Sequence, residues 1–165
     1  MKTLYLVRHG KSSWKQPQLA DIDRPLNKRG KNDAPFIGEL LAEKRIKPDL
    51  VISSPAKRAM KTALAVTDKI GYPSKKIIIN ENVYESSGRE LVEVLKSIDD
   101  KYNSVMLFGH NPGFTMLHNY LSNHYIENIP TCGVVALQFD KTWKEIGKNS
   151  AKLLFFEHPK LYPDH

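Results

Sequence analysis

The sequence has a single cysteine, no long apolar run and no block of like charges. Cys132 has no partner for an internal disulfide, and no segment approaches the roughly 20 apolar residues of a membrane helix. The chain opens without the basic, apolar and small-residue regions of a secretory leader, so we expect a cytoplasmic protein outside the membrane. The net charge of +7 favours anionic partners, but the lysines are scattered and do not indicate a nucleic acid partner.

Several sites that bind cofactors are also missing from the sequence. There is no Walker pattern and no Gly-x-Gly-x-x-Gly, and His118, His124 and Cys132 lack the spacing of a zinc site. We therefore expect no metal and no cofactor. Since neither a repeat nor a linker interrupts the 165 residues, we expect one domain over residues 1–165, monomeric by default.

Short apolar segments alternate with amphipathic stretches along the chain. The predicted strands are residues 3–7, 49–53, 76–80, 104–108, 133–139 and 151–157. Helical periodicity marks residues around 37–41, 56–70, 91–98 and 114–121. The last three helices have start signals in Ser54-Pro55, in a capping box of Ser87 with Glu90, and in Asn111-Pro112. This order predicts an α/β sandwich with a largely parallel sheet.

Polar residues break the apolar pattern just after the first four predicted strands. In a parallel sheet the carboxyl ends of such strands share one edge, where ligands bind, so we expect these residues to converge. They are Arg8 and His9, Arg58, Glu81, and Gly109 with His110. Two arginines, two histidines and two helix N-termini suit a dianion such as a phosphoryl group.

The chemistry of these residue types suggests a specific mechanism. A neutral imidazole attacks phosphorus, and the resulting phosphohistidine is labile to water, so His9 is the candidate nucleophile. Arg8, Arg58 and His110 would surround the equatorial oxygens without a metal ion. A leaving alkoxide needs a proton, for which Glu81 is the first candidate and Glu85 the second. Each of these glutamates, taken singly, fits an exposed loop carboxylate somewhat better than a catalytic acid.

Four segments resemble the histidine phosphatase superfamily, whose hallmark is Arg-His-Gly after the first strand. They read LVRHGKS (6–12), DRPLNKRG (23–30), VISSPAKRAMKTA (51–63) and LFGHNPGF (107–114). The compact length and the Asp-Arg-Pro-Leu element are most similar to the SixA-type branch. The resemblance implies a phosphoglycerate mutase-like, three-layer α/β/α sandwich with a mostly parallel central sheet and a minimal cap.

The resemblance also implies roles for individual residues. His9 would be the nucleophile, Arg8, Arg58 and His110 would line the phosphate pocket, and Arg24 would be a pocket or rim cation. ENVYESS (81–87) resembles the acid-bearing Glu-x-x-Tyr-Gly element, but Glu85 stands where the glycine would be. Either glutamate, or neither, is then the proton donor. The hydroxyl of Ser12 is a further candidate phosphate contact.

The main functional hypothesis is a metal-independent phosphatase that acts through phospho-His9. Its substrate would be phosphohistidine on a protein or another small phosphorylated group. A second hypothesis is a small-molecule phosphomonoesterase or phosphomutase, although the short chain counts against a mutase. A third, of a different class, is a module that binds a phosphorylated ligand with little turnover.

Overall fold

The computed structural model of the protein describes residues 1–165 and consists of six strands and four α-helices. The strands are β1 (Lys2–Arg8), β2 (Leu50–Ser53), β3 (Ile78–Ile79), β4 (Ser104–Gly109), β5 (Val134–Phe139) and β6 (Lys152–Glu157). The helices are α1 (Lys28–Glu43), α2 (Lys57–Ile70), α3 (Gly88–Lys96) and α4 (Gly113–Leu121). No helix is both long and apolar enough to cross a membrane.

The six strands form one sheet in the order β3-β2-β4-β1-β5-β6. Strands β3, β2, β4 and β1 are parallel, while β5 is antiparallel to β1 and β6 is antiparallel to β5. This confirms the predicted mostly parallel sheet. Because β1 and β4 are parallel neighbours in register from Thr3 with Ser104 to Arg8 with Gly109, the residues that follow them emerge side by side.

The two faces of the sheet carry separate apolar cores, because side chains alternate along each strand. Leu4 and Leu6 of β1 pack with α3 and α4 in a cluster of 22 buried residues. Val7 of β1 points the other way, into a cluster of 13 buried residues with α1 and α2. In β4, Leu107 belongs to the cluster of 22 residues and Phe108 to the cluster of 13. The result is the expected three-layer α/β/α sandwich.

Helix starts were predicted with mixed success. The capping box of Ser87 with Glu90 at α3 is confirmed, and α1 begins after Asn27, whose side chain accepts from the backbone N–H of Gly30. Pro35 lies inside α1. The prediction for α2 was wrong, because Ala56 is its N-cap and Ser54 precedes the helix. The Ser54 hydroxyl instead accepts from the Ala56 N–H at 3.1 Å and contacts a histidine.

The third predicted strand was also partly wrong. Residues 76–80 were predicted to form a strand of the sheet, but β3 has two residues, Ile78 and Ile79, which are 51% and 55% exposed. The reason for the difference is its position, since β3 is at the edge of the sheet and pairs only with β2.

Candidate active site

Two histidines meet at the carboxyl edge of the sheet. His9 follows β1 and His110 follows β4, and the backbone N–H of His9 donates to the carbonyl of Gly109 at 3.0 Å. The centroids of the two imidazole rings are 5.1 Å apart. The two rings therefore share one pocket although they are separated by about a hundred residues of sequence.

Close backbone packing allows this juxtaposition. A Cβ on Gly109 would lie 2.5 Å from the ring of Phe114, so only glycine lets the chain turn from β4 towards α4 at this point. A Cβ on Gly30 of α1 would lie 2.3 Å from the carbonyl oxygen of Lys11. The N-terminus of α1 thus packs directly on the loop that carries His9. The glycine of the DRPLNKRG segment is explained by this contact.

The His9 imidazole is held in one orientation and one tautomer. Its Nδ1 lies 2.6 Å from the Gly10 carbonyl oxygen, which only accepts hydrogen bonds, so Nδ1 carries the proton and Nε2 keeps a lone pair. The residue is 8% exposed. Burial, followed by the charges of Arg58 and Arg8, lowers the pKa of His9 to about 4. The ring is therefore neutral at pH 7.

His110 is neutral for similar reasons. Its Nε2 is 2.7 Å from the Ser54 hydroxyl, and its Nδ1 is buried without a hydrogen-bond partner. Burial first, then His9 and Arg58, lower the pKa of His110 to about 3. The ring of Tyr84 packs edge-on at 5.5 Å. An unpaired buried nitrogen such as this Nδ1 costs about 1–3 kcal/mol of stability.

Two arginines lie beside the histidine pair. Arg58, in the first turn of α2 and 7% exposed, donates from Nη1 to the Asp21 carbonyl at 2.7 Å and from Nη2 to its carboxylate at 2.9 Å. Arg8 donates from Nη1 to the Ile129 carbonyl at 2.8 Å, and its Nε is buried without a partner. Both charges act on His9, so the structure brings Arg8, Arg58, His9 and His110 together.

Thr62 links these groups from within α2. Its buried hydroxyl accepts from the Gly10 N–H at 2.9 Å and donates to the Arg58 carbonyl at 2.8 Å. One side chain thus ties the loop after β1 to the first turn of α2. A polar residue on the apolar face of the helix was the sole indication of this role in the sequence.

Asp21 is part of the site and was missed by the sequence analysis. It lies in a 3-10 turn (Asp21–Asp23), and its carboxylate is 2.9 Å from Arg58, 3.4 Å from Arg24 and 2.6 Å from the Tyr84 hydroxyl. The Tyr84 hydrogen bond, followed by the contacts with Arg58, lowers the pKa of Asp21, which is therefore ionised at pH 7. The feature of the sequence that could have indicated this role is an aspartate three residues before Arg24, in a loop without periodicity.

Arg24 and Ser12 lie at the rim of the same pocket. Arg24 is 8% exposed, donates from Nη2 to the Ser12 hydroxyl, and has its Nε buried without a partner. Its guanidinium carbon is 3.4 Å from the centroid of the Trp14 ring, which is 74% exposed. Such stacking is favourable and holds the cation at the mouth of the pocket.

The two candidate acids are placed differently. Glu81 is exposed in a 3-10 turn (Glu81–Val83), and its carboxylate forms no hydrogen bond or ion pair with a site residue. Glu85 is exposed and has a φ of 54°. Burial, then Asp21, and then Glu85 raise the pKa of Tyr84. No group of three or more His, Cys, Asp or Glu side chains is arranged to hold a metal ion.

The fold and this pocket define a class of α/β protein with two neutral histidines and two arginines at the carboxyl edge of a mostly parallel sheet. A family model described as "Histidine phosphatase superfamily (branch 1)" matches residues 4–105. The chain belongs to the histidine phosphatase superfamily. The SixA resemblance is also confirmed, by a structure of the candidate phosphohistidine phosphatase SixA of Agrobacterium tumefaciens. It is 28% identical, with a TM-score of 0.79 over 96% of this chain and 98% of the other.

Two relatives with known sequences extend the comparison. An uncharacterised chloroplastic protein of Arabidopsis thaliana is 31% identical over 153 residues, which cover 87% of this chain and 70% of that protein. Phosphoglycerate mutase 1 of Saccharomyces cerevisiae is 35% identical over 112 residues. That match covers 63% of this chain but only 45% of the mutase. The superfamily thus includes relatives with different reactions.

Proposed function

We propose that the protein is a metal-independent phosphatase whose nucleophile is Nε2 of His9. The observation that carries the proposal is the hydrogen bond from His9 Nδ1 to the Gly10 carbonyl at 2.6 Å, in a ring whose pKa is lowered to about 4. Together they supply a neutral imidazole with its lone pair on the outer nitrogen at physiological pH. That is the form that attacks phosphorus.

The reaction proceeds in two displacements. In the first, Nε2 of His9 forms a bond to phosphorus as the bond to the leaving group breaks; a nitrogen leaving group departs with the proton it already carries, and an alkoxide takes one from a carboxylic acid. In the second, water attacks the phosphohistidine, the P–N bond breaks, and inorganic phosphate leaves with His9 restored. Arg8, Arg58 and His110 stabilise the negative charge on the transferring oxygens in both steps. Arg24 and Ser12 bind substrate at the rim.

The ionisation of the carboxylate in the pocket favours a substrate whose leaving group needs no proton from a protein acid. Asp21 is the carboxylate in contact with the pocket arginines, and its lowered pKa keeps it ionised. An ionised carboxylate cannot protonate an alkoxide, whereas the nitrogen leaving group of a phosphoramidate is protonated before attack. A phosphohistidine on a protein is therefore the substrate class we favour. The name of the Agrobacterium relative is consistent with this choice.

The same carboxylate has the properties of a base for the second displacement. Asp21 is ionised, and its side chain is 48% exposed, so water has access to it beside Arg58. It would accept the proton of the water that attacks phospho-His9. Glu81 and Glu85 stay candidates for the leaving-group proton in the case of an alkyl phosphate substrate.

The alternative functions differ in what they would hydrolyse. The match to a phosphoglycerate mutase is the observation that favours a small-molecule phosphomonoesterase or mutase, but this chain spans less than half of that mutase. A binding module with little turnover would show affinity for phosphate without phosphoenzyme. It is the weaker candidate, because it gives no role to the neutral, oriented His9.

A substrate screen separates these functions. It compares phosphoramidate, a phosphohistidine peptide, an aryl phosphate, glucose 6-phosphate and 3-phosphoglycerate, with and without a chelator. We expect the two P–N compounds to be hydrolysed best, no loss in chelator, and no turnover by His9→Ala. Preferential turnover of glucose 6-phosphate or 3-phosphoglycerate would instead support the second function, and phosphate binding without turnover would support the third.

A further inference from the structure

Five exposed lysines line two adjoining clefts next to the candidate active site, and a sixth, Lys11, lies in the loop after β1. None of them forms an ion pair. The clefts have volumes of 430 and 400 Å³, and Pro25, Leu26 and Lys31 line both. We call this surface the lysine face, and its members are Lys11, Lys15, Lys28, Lys31, Lys57 and Lys61.

Folding does not explain this arrangement. Lys28 and Lys57 are the first residues of α1 and α2, where the positive ends of the helix dipoles disfavour cations, and neither first turn contains an acidic residue. Lys31 and Lys61 lie about one turn further along the same helices. At the other end of the same helix pair Lys69 is paired with Glu39 at 3.5 Å. Unpaired cations are thus concentrated where they destabilise the isolated chain, which indicates that they serve an anionic ligand.

The lysine face continues directly into the pocket. Pro25 and Leu26, in the floor of both clefts, follow Arg24, and Lys57 precedes Arg58 in the first turn of α2. An anionic chain bound across the clefts would therefore present its end to the two histidines. A single phosphoryl group fills the pocket alone and would leave the outer lysines, one and two helical turns away, without a partner.

We infer that the lysine face docks an acidic segment of a phosphorylated protein and so selects the protein from which the phosphoryl group is taken. The inference rests on the proposed phosphatase function for the reaction but not for the binding. The partner is a polypeptide rich in Asp and Glu close to its phosphorylated residue. Lysine pairs with such flexible carboxylates as a point charge.

Two other anionic partners fit this surface less well. Proteins that bind single-stranded nucleic acid stack successive bases on aromatic side chains, but neither cleft is lined by one, and the neighbouring Trp14 is stacked on Arg24. Membrane-surface binding uses several large apolar side chains interleaved with the cations, whereas the apolar residues that line the clefts are Pro25, Leu26, Ala34 and Ala65. Both partners become explicit outcomes of the test.

The test uses two synthetic peptides with the same central histidine, one flanked by Asp and Glu and the other by Ser and Gly. Binding of the unphosphorylated peptides is measured by fluorescence anisotropy, and kcat/KM is measured on the phosphorylated forms. The test variant is K31E/K61E, and the matched control is K75E/K76E. The control has the same change in net charge, at exposed residues of the 3-10 turn Ser74–Lys76 beyond the far end of α2.

We expect the full-length protein to prefer the acidic peptide by about tenfold at low salt, in binding and in kcat/KM, and to lose this preference at high salt. The preference should disappear in K31E/K61E and persist in K75E/K76E. Replacing lysine by glutamate near a helix N-terminus complements the dipole, so K31E/K61E should unfold at no lower temperature than the parent protein.

Three results would overturn the inference. One is equal binding of the two peptides, and another is an equal loss in the two variants. The third is tighter binding of an RNA oligonucleotide or of phosphatidylserine vesicles than of the acidic peptide at the same ionic strength. Failure of the phosphatase proposal is distinguishable, because it abolishes turnover of both phosphopeptides while the anisotropy preference persists.

Discussion

Arg58 and Asp21 are joined by two hydrogen bonds, from Nη1 to the carbonyl oxygen at 2.7 Å and from Nη2 to the carboxylate at 2.9 Å. The contact fixes the guanidinium in the pocket. The hydrogen bond from Tyr84, followed by the contacts with Arg58, lowers the pKa of Asp21 and keeps the carboxylate ionised. In the proposed mechanism a phosphoryl group and the Asp21 carboxylate share this cation, which places a base next to the phosphohistidine that water must hydrolyse.

Asp21→Asn should therefore slow the second displacement more than the first. We expect the steady-state rate to fall about 10²-fold, while the burst of leaving group from the first turnover keeps its amplitude. Rapid-quench kinetics with an aryl phosphate measure both quantities. Asp23→Asn, in the same exposed turn, serves as the control and should behave like the parent protein. A burst that falls in proportion to the steady-state rate would assign Asp21 to positioning Arg58 alone.

The activity should depend on the protonation of His9. Because burial and the arginines lower its pKa to about 4, the neutral nucleophile predominates above that pH and is lost below it. We expect kcat/KM, corrected for ionisation of the substrate, to stay level from neutral pH down to pH 5 and to fall only as pH approaches about 4. A fall centred near the ordinary histidine pKa of about 6.5 would contradict the buried, neutral ring.

The same two histidines should make the fold sensitive to acid. The pKa values of His9 and His110 are lowered to about 4 and about 3, below the unfolded value near 6.5, so the unfolded state binds more protons in this interval. The free energy of unfolding should decrease as pH falls from about 6.5 towards about 4. In urea titrations at pH 7 and pH 5, H9N/H110N should show a smaller decrease than the parent protein. An equal decrease would place the acid sensitivity elsewhere.

Thr62→Val tests the link between the His9 loop and α2. The substitution keeps the shape of the side chain but leaves the buried Gly10 N–H without its acceptor, which costs about 1–3 kcal/mol in unfolding free energy. We expect kcat to fall about tenfold as well, because the Thr62 hydroxyl no longer hydrogen-bonds both the loop that carries His9 and the turn that carries Arg58. Thr67→Val is the matched control, since that hydroxyl is equally buried in α2 but bonds only to carbonyls of its own helix.

Activity in Thr67→Val should equal that of the parent protein, whereas Thr62→Val should lose both stability and rate. If the two variants lost the same rate, Thr62 would have no positioning role beyond packing. A structural loss of folded protein lowers the apparent kcat and leaves KM unchanged, so kcat is expressed per folded molecule, with the folded fraction measured by circular dichroism at the assay temperature.

Glu81→Gln distinguishes the two classes of leaving group. Since the side chain is exposed and makes no contact with the pocket residues, we expect hydrolysis of phosphohistidine to change by less than about threefold. Loss of an alkyl phosphatase activity by about tenfold or more would identify Glu81 as the acid for that substrate only. Similar large losses for both substrates would contradict the preference for P–N bonds. Glu85→Gln is the parallel variant.

The sequence predicted the parts of this molecule that depend on local chemistry. Alternating apolar segments and the polar residues at strand ends were sufficient to place His9 and His110 at one edge, because parallel strands order their carboxyl ends together. The parts that failed depend on tertiary position. Ile78 and Ile79 are apolar but exposed, since nothing in their composition reveals that β3 is at the edge of the sheet.

Residues that reach the site from loops could not be predicted from the sequence for the same reason. Asp21 enters the site from a 3-10 turn whose sequence shows no periodicity, and Tyr84 contacts it from 63 residues further along the chain. Ser54 was interpreted as a helix cap because its position suited one, while its hydroxyl also serves His110. Such side chain to side chain contacts carry no signature in a single sequence. They are apparent only in the folded structure, where the loops lie next to each other.

The most direct test of the central claim is to trap the phosphoenzyme. The protein is mixed with a phosphohistidine peptide, and the reaction is quenched in base within the first turnover. The position of the phosphoryl group is then mapped by mass spectrometry, with His9→Asn and His110→Asn treated in the same way. The account predicts one phosphoryl group, labile to acid, on the peptide containing His9, absent in His9→Asn and present in reduced amount in His110→Asn. Turnover by the parent protein without this adduct, or with the phosphoryl group on another residue, would contradict it.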